Sequence, residues 1–180
     1  MVIRYAARSR TRSNRGGILS QVQPANDSPG SATPAATIIE RLGMRPHPEG
    51  GWFVETWRAG ASPGQRPVGS AILYLLAEGQ RSHWHRVDAA EIWQYSAGDP
   101  LELAIHDGDP DAAATTHRLG GDVATGDVPQ VVVPVGWWQA ARPLGAWTLV
   151  GCIVTPAFEF DGFELAPPDW APGERDREPG

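Results

Sequence analysis

The stretch on which the fold turns is Gly79–Gly98, GQRSHWHRVDAAEIWQYSAG. It places His83 and His85 one residue apart, with Glu91 six residues beyond the second histidine. Imidazole and carboxylate are both metal donors, so the pattern raises the expectation of a three-ligand clamp. On a regular strand, residues 83 and 85 point to the same side, which keeps a His83/His85/Glu91 set geometrically open.

Working outward, the neighbouring segments read as short strands separated by turns. Trp52–Trp57 is a strand in which Phe53, Glu55 and Trp57 share a face. Ala71–Leu76 and Glu91–Tyr95 read as strands, the first of them buried, and Leu101, Leu103 and Ile105 alternate with Glu102, Ala104 and His106 before an Asp107-Gly108 turn. Gln130–Val135 and Trp147–Val154 are two further β-rich runs. Thr37-Ile38-Ile39-Glu40 has the form of a capping box, and Gly43 is placed as a C-cap, so a short helix is expected over residues 38–42. Many short strands, frequent turns and no long helical pattern indicate an all-β sandwich, jelly roll or barrel with one short N-terminal helix.

A chain of 180 residues suits one domain with a substantial core. The 21 glycines and 17 prolines favour turns over long helices, and eight tryptophans suffice both for a core and for a pocket wall or interface. A net charge of −6 argues against a general nucleic-acid binder or a binder of acidic membranes. No stretch is apolar for long enough to span a bilayer. The single cysteine, Cys152, lies in an apolar run and has no internal disulfide partner, so a buried inert thiol and a cytoplasmic location are expected.

Residues 1–35 differ from the rest, with Arg4, Arg8, Arg10, Arg12 and Arg15 strung among small residues and no acid before Asp27. A disordered tail, a transit peptide and a misassigned start all suit that composition. The expected organisation is a tail over 1–35, one domain over 36–168 and a polar C-terminal tail over 169–180.

The spacing Gly79-x5-His85-x-Val87-x3-Glu91-x6-Gly98 resembles the first motif of the cupin superfamily, Gly-x5-His-x-His-x3-4-Glu-x6-Gly. Pro134-Val135-Gly136-Trp137-Trp138-Gln139 resembles the second, Pro-x-Gly-x-x-His. His47-Pro48-Glu49-Gly50-Gly51-Trp52 through Arg58, Ala97–Leu103 and Leu149–Phe158 extend the likeness to the cupin 5 (DUF985) family over about residues 37–168. The resemblance implies a double-stranded β-helix, or jelly-roll barrel, a homodimer, and a fold shared with the sugar-nucleotide epimerases of the rhamnose pathway. It implies no particular reaction.

In that register His85 and Glu91 keep two metal-ligand positions, while Val87 and Gln139 stand where two histidines belong. No metal is therefore the expectation. Should one bind, His85, Glu91 and Gln139, with His83 as a further candidate, would hold Fe, Mn or Zn. An acid/base pocket survives without it. His85 titrates near neutrality, and Glu91 beside it would fix its tautomer. Glu55, if it projects into an apolar cavity, is the second catalytic candidate. Arg58 and Arg86 are candidates for an anionic group, Trp93 and Gln139 for stacking and hydrogen bonding, and Tyr74 for the pocket wall. Glu55 paired to Arg58 on a solvated strand is an equal alternative. One of Trp137 and Trp138 at most can face inward. His47 reads as a turn-fixing residue, His106 and His117 as flanking a surface loop, and Asp107, Asp109 and Asp111 as an acidic turn. Arg118 at the twelfth position excludes a calcium loop.

Three functions remain open: a metal-independent isomerase or epimerase of a sugar-like or anionic small molecule, a non-catalytic small-molecule binding or sensing module, and a metal-dependent enzyme.

Overall fold

The computed structural model describes residues 33–173. All described residues belong to one compact unit. The expectations for residues 1–32 and 174–180 lie outside the described residues.

Helix α1 (Ala35–Leu42) starts ahead of the expected 38–42. Pro34 takes the N-cap with extended backbone, its carbonyl accepts the Thr37 amide at 3.0 Å, and no side-chain cap forms, so the Thr37/Glu40 capping box is not made. Proline needs no partner for a missing N–H and is pre-shaped to enter a helix. Gly43 closes the helix at φ 63°, as a left-handed C-cap requires.

The strands are β1 (Arg45–Pro46), β2 (Trp52–Arg58), β3 (Ser70–Ala77), β4 (Ser82–Val87), β5 (Ala90–Gly98), β6 (Leu101–His106), β7 (Thr115–Leu119), β8 (Gln130–Val133), β9 (Trp138–Pro143), β10 (Trp147–Thr155) and β11 (Phe163–Leu165). They form two antiparallel sheets, ordered β1-β2-β3-β10-β5-β8 and β11-β4-β9-β6-β7. The result is the all-β jelly roll expected from the sequence.

Alternation along each strand builds the interior. Leu76, Val150, Leu101, Leu103 and Leu119 are fully buried and pack one end of it. Each such side chain contributes about 1.5–3 kcal/mol by leaving water. Further along the same strands the inward positions become Ser70, Ile72, Tyr74, His85, Glu91, Cys152 and Val154, and there the packing stops short, leaving a cavity. The change from apolar to polar along a shared strand direction divides the barrel into a structural end and a site end.

Two irregularities in pairing set which side chains enter that cavity. In β2 the register shifts between Glu55 and Trp57, leaving Thr56 as the extra residue. A bulge re-aims the residues beyond it. Arg58 therefore joins Phe53 and Glu55 at the cavity, while Trp57 turns out and is half exposed. This corrects the expected shared face of Phe53, Glu55 and Trp57. In β4 the register shifts between Ser82 and His85, so those two point inward. His83 turns the other way, its Nε2 3.2 Å from the Ala166 carbonyl and 3.0 Å from that of Pro167. The paired face assumed for His83 and His85 does not exist.

Other expectations are refined as well. His106 is buried; its ring accepts the Gly108 amide at 3.0 Å and reaches the Ala112 carbonyl at 3.1 Å, so it clamps the acidic turn. Trp170, placed in the expected tail, packs against Trp138 and Trp84 with ring centroids 4.6 and 5.9 Å apart. Trp137 lies against the apolar core, and neither Trp137 nor Trp138 lines the cavity.

The turn between β1 and β2 depends on two glycines. Gly50 has φ 110° and Gly51 φ 66°; a Cβ on Gly50 would run into the Arg81 carbonyl, and one on Gly51 would meet the Tyr74 hydroxyl and the Leu75 carbonyl at 2.8 Å. Gly50→Ala should therefore cost at least about 1–3 kcal/mol in urea unfolding, the range for a strained left-handed residue. A change below about 0.5 kcal/mol, the level of an inert surface substitution, would show that the turn is not held this tightly.

Candidate functional site

The Gly50–Gly51 turn presents Glu49 to the barrel interior. The His83 amide donates to the Glu49 carbonyl at 2.8 Å, and the Tyr74 hydroxyl donates to the Gly50 carbonyl at 2.7 Å, so the turn is tied to both sheets. The Glu49 side chain is buried, and its carboxylate meets three groups. Oε1 accepts the Ser82 hydroxyl at 3.0 Å, while Oε2 lies 3.2 Å from His85 Nε2 and 3.3 Å from His47 Nδ1.

Hydrogen-bond logic assigns the protons. Burial alone pushes the Glu49 carboxyl up, but the facing His85, with His47 and Ser82, outweighs it and holds the group below its ordinary value. Glu49 is thus an acceptor. His85 Nδ1 lies 2.8 Å from the His83 carbonyl, which can only accept. Both nitrogens of His85 face acceptors, so the ring is held between the Glu49 carboxylate and the His83 carbonyl. His47 Nδ1 lies between two groups of Glu49, the carboxylate at 3.3 Å and the backbone amide, which donates toward it at a longer 3.5 Å; the shorter contact, to an acceptor, is taken to fix the tautomer. Its proton therefore sits on Nδ1, and Nε2, which has no hydrogen-bond partner among the described residues, carries the lone pair.

Glu91 is buried beside this pair in a different state. Its Oε2 accepts the Gln139 side-chain amide at 2.6 Å, and the Gln139 carbonyl accepts the Trp93 indole at 2.8 Å. An indole N–H can only donate, so it decides the orientation of the Gln139 amide. Burial pushes the Glu91 carboxyl up, and the neighbouring Glu49 charge adds to the shift despite the opposing effect of His85. Glu91 therefore keeps its proton to higher pH than an exposed glutamate. Cys152, also lining the cavity, has its thiol pushed well up by burial, first of all, and by the nearby carboxylates, as befits an unreactive cysteine.

Above this floor Phe53, Ile72, Val87, Val154 and Phe158 form apolar walls, and Arg45, Glu55, Arg58 and the exposed Phe160 form the mouth. The cavity volume is about 110 Å³. At the volume one ordered water needs, that is room for roughly ten water-sized groups.

The structure brings His85, Glu91, Tyr74, Glu55 and Arg58 together around this cavity. Glu55 is at the mouth, bound to Arg58 at 2.7 Å, and does not reach the apolar interior expected of a buried acid. Trp93 and Gln139 stand behind Glu91 and do not line the cavity. Arg86 lies outside it, bonded to Glu164 at 2.7 Å and 4.7 Å over the Trp138 ring. Strand parity explains this, since Arg86 follows the inward His85. Reading the residues missed Glu49 and Arg45 and gave His47 a turn-fixing role. The available signal was the carboxylate of His47-Pro48-Glu49-Gly50-Gly51, set in a turn that only glycines allow.

The divalent metal suggested by the first-motif spacing does not fit these residues. Val87 has no donor, the Gln139 oxygen is held by Trp93, and both nitrogens of His85 are engaged. Among the described residues no group of three or more His, Cys, Asp or Glu side chains is arranged to hold a metal ion.

Two antiparallel sheets enclosing a polar-floored cavity define a small jelly-roll barrel of the cupin type. The family profile described as Cupin superfamily (DUF985) matches residues 36–166, and the chain belongs to this family. A solved protein from Shewanella oneidensis is 36% identical, with a TM-score of 0.69, over 74% of this chain and 85% of that one. A hypothetical protein from Leishmania major is 30% identical, with a TM-score of 0.68, over 74% and 88%. The capsular polysaccharide assembling protein CapF from Staphylococcus aureus shares the fold at 15% identity and a TM-score of 0.53, over 68% of this chain and 31% of its own. No curated protein matches the chain.

The opposite shifts of the two carboxylates separate by pH. Glu49, held below its ordinary value of 4.5, contributes stability that is full above that value and is lost as pH falls through its lowered folded value. The stability gap between wild type and Glu49→Gln should thus be about 3 kcal/mol at neutral pH, as for one partner removed from a buried pair, and close in acid. Glu91 has the reverse sign: its raised folded value costs stability as pH rises above 4.5. Glu91→Gln should accordingly gain on wild type with rising pH. Urea titrations across the acid-to-neutral range check both, and parallel curves would refute the assigned states.

Proposed function

We propose that this protein takes a small polar molecule into the barrel and isomerises it by metal-independent proton transfer at a carbon next to a carbonyl. The observation that carries the reading is the His47–Glu49 pair inside the cavity: a carboxylate 3.3 Å from Nδ1, with Nε2 left free. A carboxylate that fixes Nδ1–H presents the opposite nitrogen as a base. In this reading His47 Nε2 removes the α-proton, and Glu91, the buried carboxyl that holds its proton to higher pH than an exposed one, returns one to the enolate. The proton gained by His47 and the one lost by Glu91 are re-equilibrated through the open mouth. Tyr74 and Ser82 act as positioning residues for the Glu49 turn. His85 faces Glu49 and holds its carboxyl below the ordinary value, a different role from the base expected of it. The epimerase kinship implied by the resemblance is consistent with such chemistry, and fold likeness alone does not establish it.

The test needs no prior substrate. Hydroxy- and oxo-acids and reducing sugars incubated with the protein in D2O should include one that gains deuterium at the α-carbon. His47→Gln should lower that rate by about 10²–10⁴-fold, the usual contribution of a general base. A ligand that binds yet is recovered without deuterium would replace this reading with that of a binding module. The full hydrogen bonding of His85, which leaves it no free nitrogen, favours that second reading.

The same proposal makes the protein metal-free: purified protein should carry far less than one equivalent of Fe, Mn or Zn, with exchange unaffected by EDTA. Stoichiometric metal, or exchange that EDTA removes, would refute it. No helix among the described residues is long and apolar enough to cross a membrane, and the buried thiol of Cys152 suits a cytoplasmic setting. A homodimer belongs to this reading too. The outer face of the six-stranded sheet carries the exposed Trp57 and Val132, which a second copy would cover. Light scattering at the mass of one chain would exclude it.

A further inference from the structure

The cavity mouth holds two guanidinium groups in different states. Arg58 is engaged: Glu55 accepts from its Nε and Nη2, at 3.1 and 2.7 Å, and the Phe158 carbonyl accepts from Nη1 at 3.1 Å. Arg66, Arg86, Arg118 and Arg142 are each held by a carboxylate elsewhere on the protein. Arg45 lies 4.7 Å over the Phe53 ring, lines the cavity and has no carboxylate partner among the described residues. A guanidinium stacked by its face on an aromatic ring keeps its N–H edge for an acceptor, and it stays charged at any working pH.

The floor does not compete for that charge. The Glu49 carboxylate is already met by the His85 and His47 rings and the Ser82 hydroxyl, and Glu91 by the Gln139 amide, so the buried carboxyls have their partners within the floor. A ligand bearing one negative charge would find its counter-charge at the mouth. One free guanidinium offers a fork that suits a carboxylate. A phosphate dianion would call for a second cation, and Arg58 is already taken. Between mouth and floor the walls are apolar and aromatic, with Phe158 and Phe160 in the lining, their ring centroids 5.0 Å apart.

We propose that the ligand is a small hydroxy- or oxo-carboxylate, with its carboxylate on Arg45 and its oxygen-bearing carbon turned toward His47 and Glu91. The inference rests on the reading of this cavity as the binding site. The volume of about 110 Å³ suits a small acid of roughly ten non-hydrogen atoms, near the size of mandelate.

The test is calorimetric titration of wild type, Arg45→Gln and Arg45→Lys with pyruvate, lactate, mandelate and phenylpyruvate, their methyl esters, and glucose 6-phosphate. At least one acid should bind, with its ester roughly ten- to a hundredfold weaker, the range for a lost charge-assisted hydrogen bond. Arg45→Gln should weaken the acid by the same factor without affecting the ester, and Arg45→Lys should fall between. Arg45 is exposed, so these variants should keep the wild-type fold. Esters binding as well as acids, an unchanged Arg45→Gln, binding of the sugar phosphate only, or no binding by any of the acids would each overturn the assignment. Deuterium exchange on a neutral sugar, lost in His47→Gln, would then leave the isomerase reading standing without the carboxylate.

Discussion

The burial of one carboxylate, that of Glu49, is the constraint on which the site depends. A lone carboxylate in this position would be untenable, since an isolated buried charge costs far more than a fold can spare. It is tolerated because the Ser82 hydroxyl, the His85 ring and the His47 ring converge on its two oxygens. That convergence requires β3, β4 and the β1–β2 turn to meet at one point, so the hydrogen bonds of the site also tie the sheets together. Tyr74 shows the coupling directly, bonding the turn through Gly50 while packing edge-on against Trp93 at 5.8 Å.

Around Glu49 the barrel arranges three ionisable groups in three states by environment alone. Glu49 is held below its ordinary value because two imidazole rings and a hydroxyl face it. Glu91, buried against an amide and a thiol and near a like charge, is pushed above its own. His85 is trapped between two acceptors. The Trp93–Gln139 link extends this ordering into the core, where a donor-only indole dictates which end of the amide Glu91 sees. A side chain that spacing alone would make a metal ligand is thereby turned into a positioning group. Dense hydrogen bonding of this kind preorganises a cavity for a polar ligand.

Cavity access is governed by local breaks in regular pairing. The bulge at Thr56 delivers Arg58 to the mouth, where it neutralises Glu55. The irregularity between Ser82 and His85 sends one histidine in and the other out to the C-terminal segment. Each break moves charge by a single residue, and a one-residue change on a strand exchanges the two faces. The mouth consequently has one neutralised arginine and one arginine free to meet a ligand.

The strands, the jelly-roll class and the inward His85 and Glu91 were legible in the chain itself, because they rest on short-range alternation, turn residues and motif spacing. The strand cores at Ala71–Leu76, Leu101–Ile105 and Trp147–Val154 lie within observed strands for that reason. Tertiary structure alone decided the partnership of the neighbouring His47 and Glu49 with His85, 36 residues beyond Glu49, a meeting that depends on the φ angles of Gly50 and Gly51. It also decided the fate of His83 and Glu55. Their side chains were assigned by ideal alternation, whereas bulges and ion pairs form only once neighbouring strands are in register. Sequence periodicity determines which residues are apt to face inward; pairing between distant strands determines which of them do.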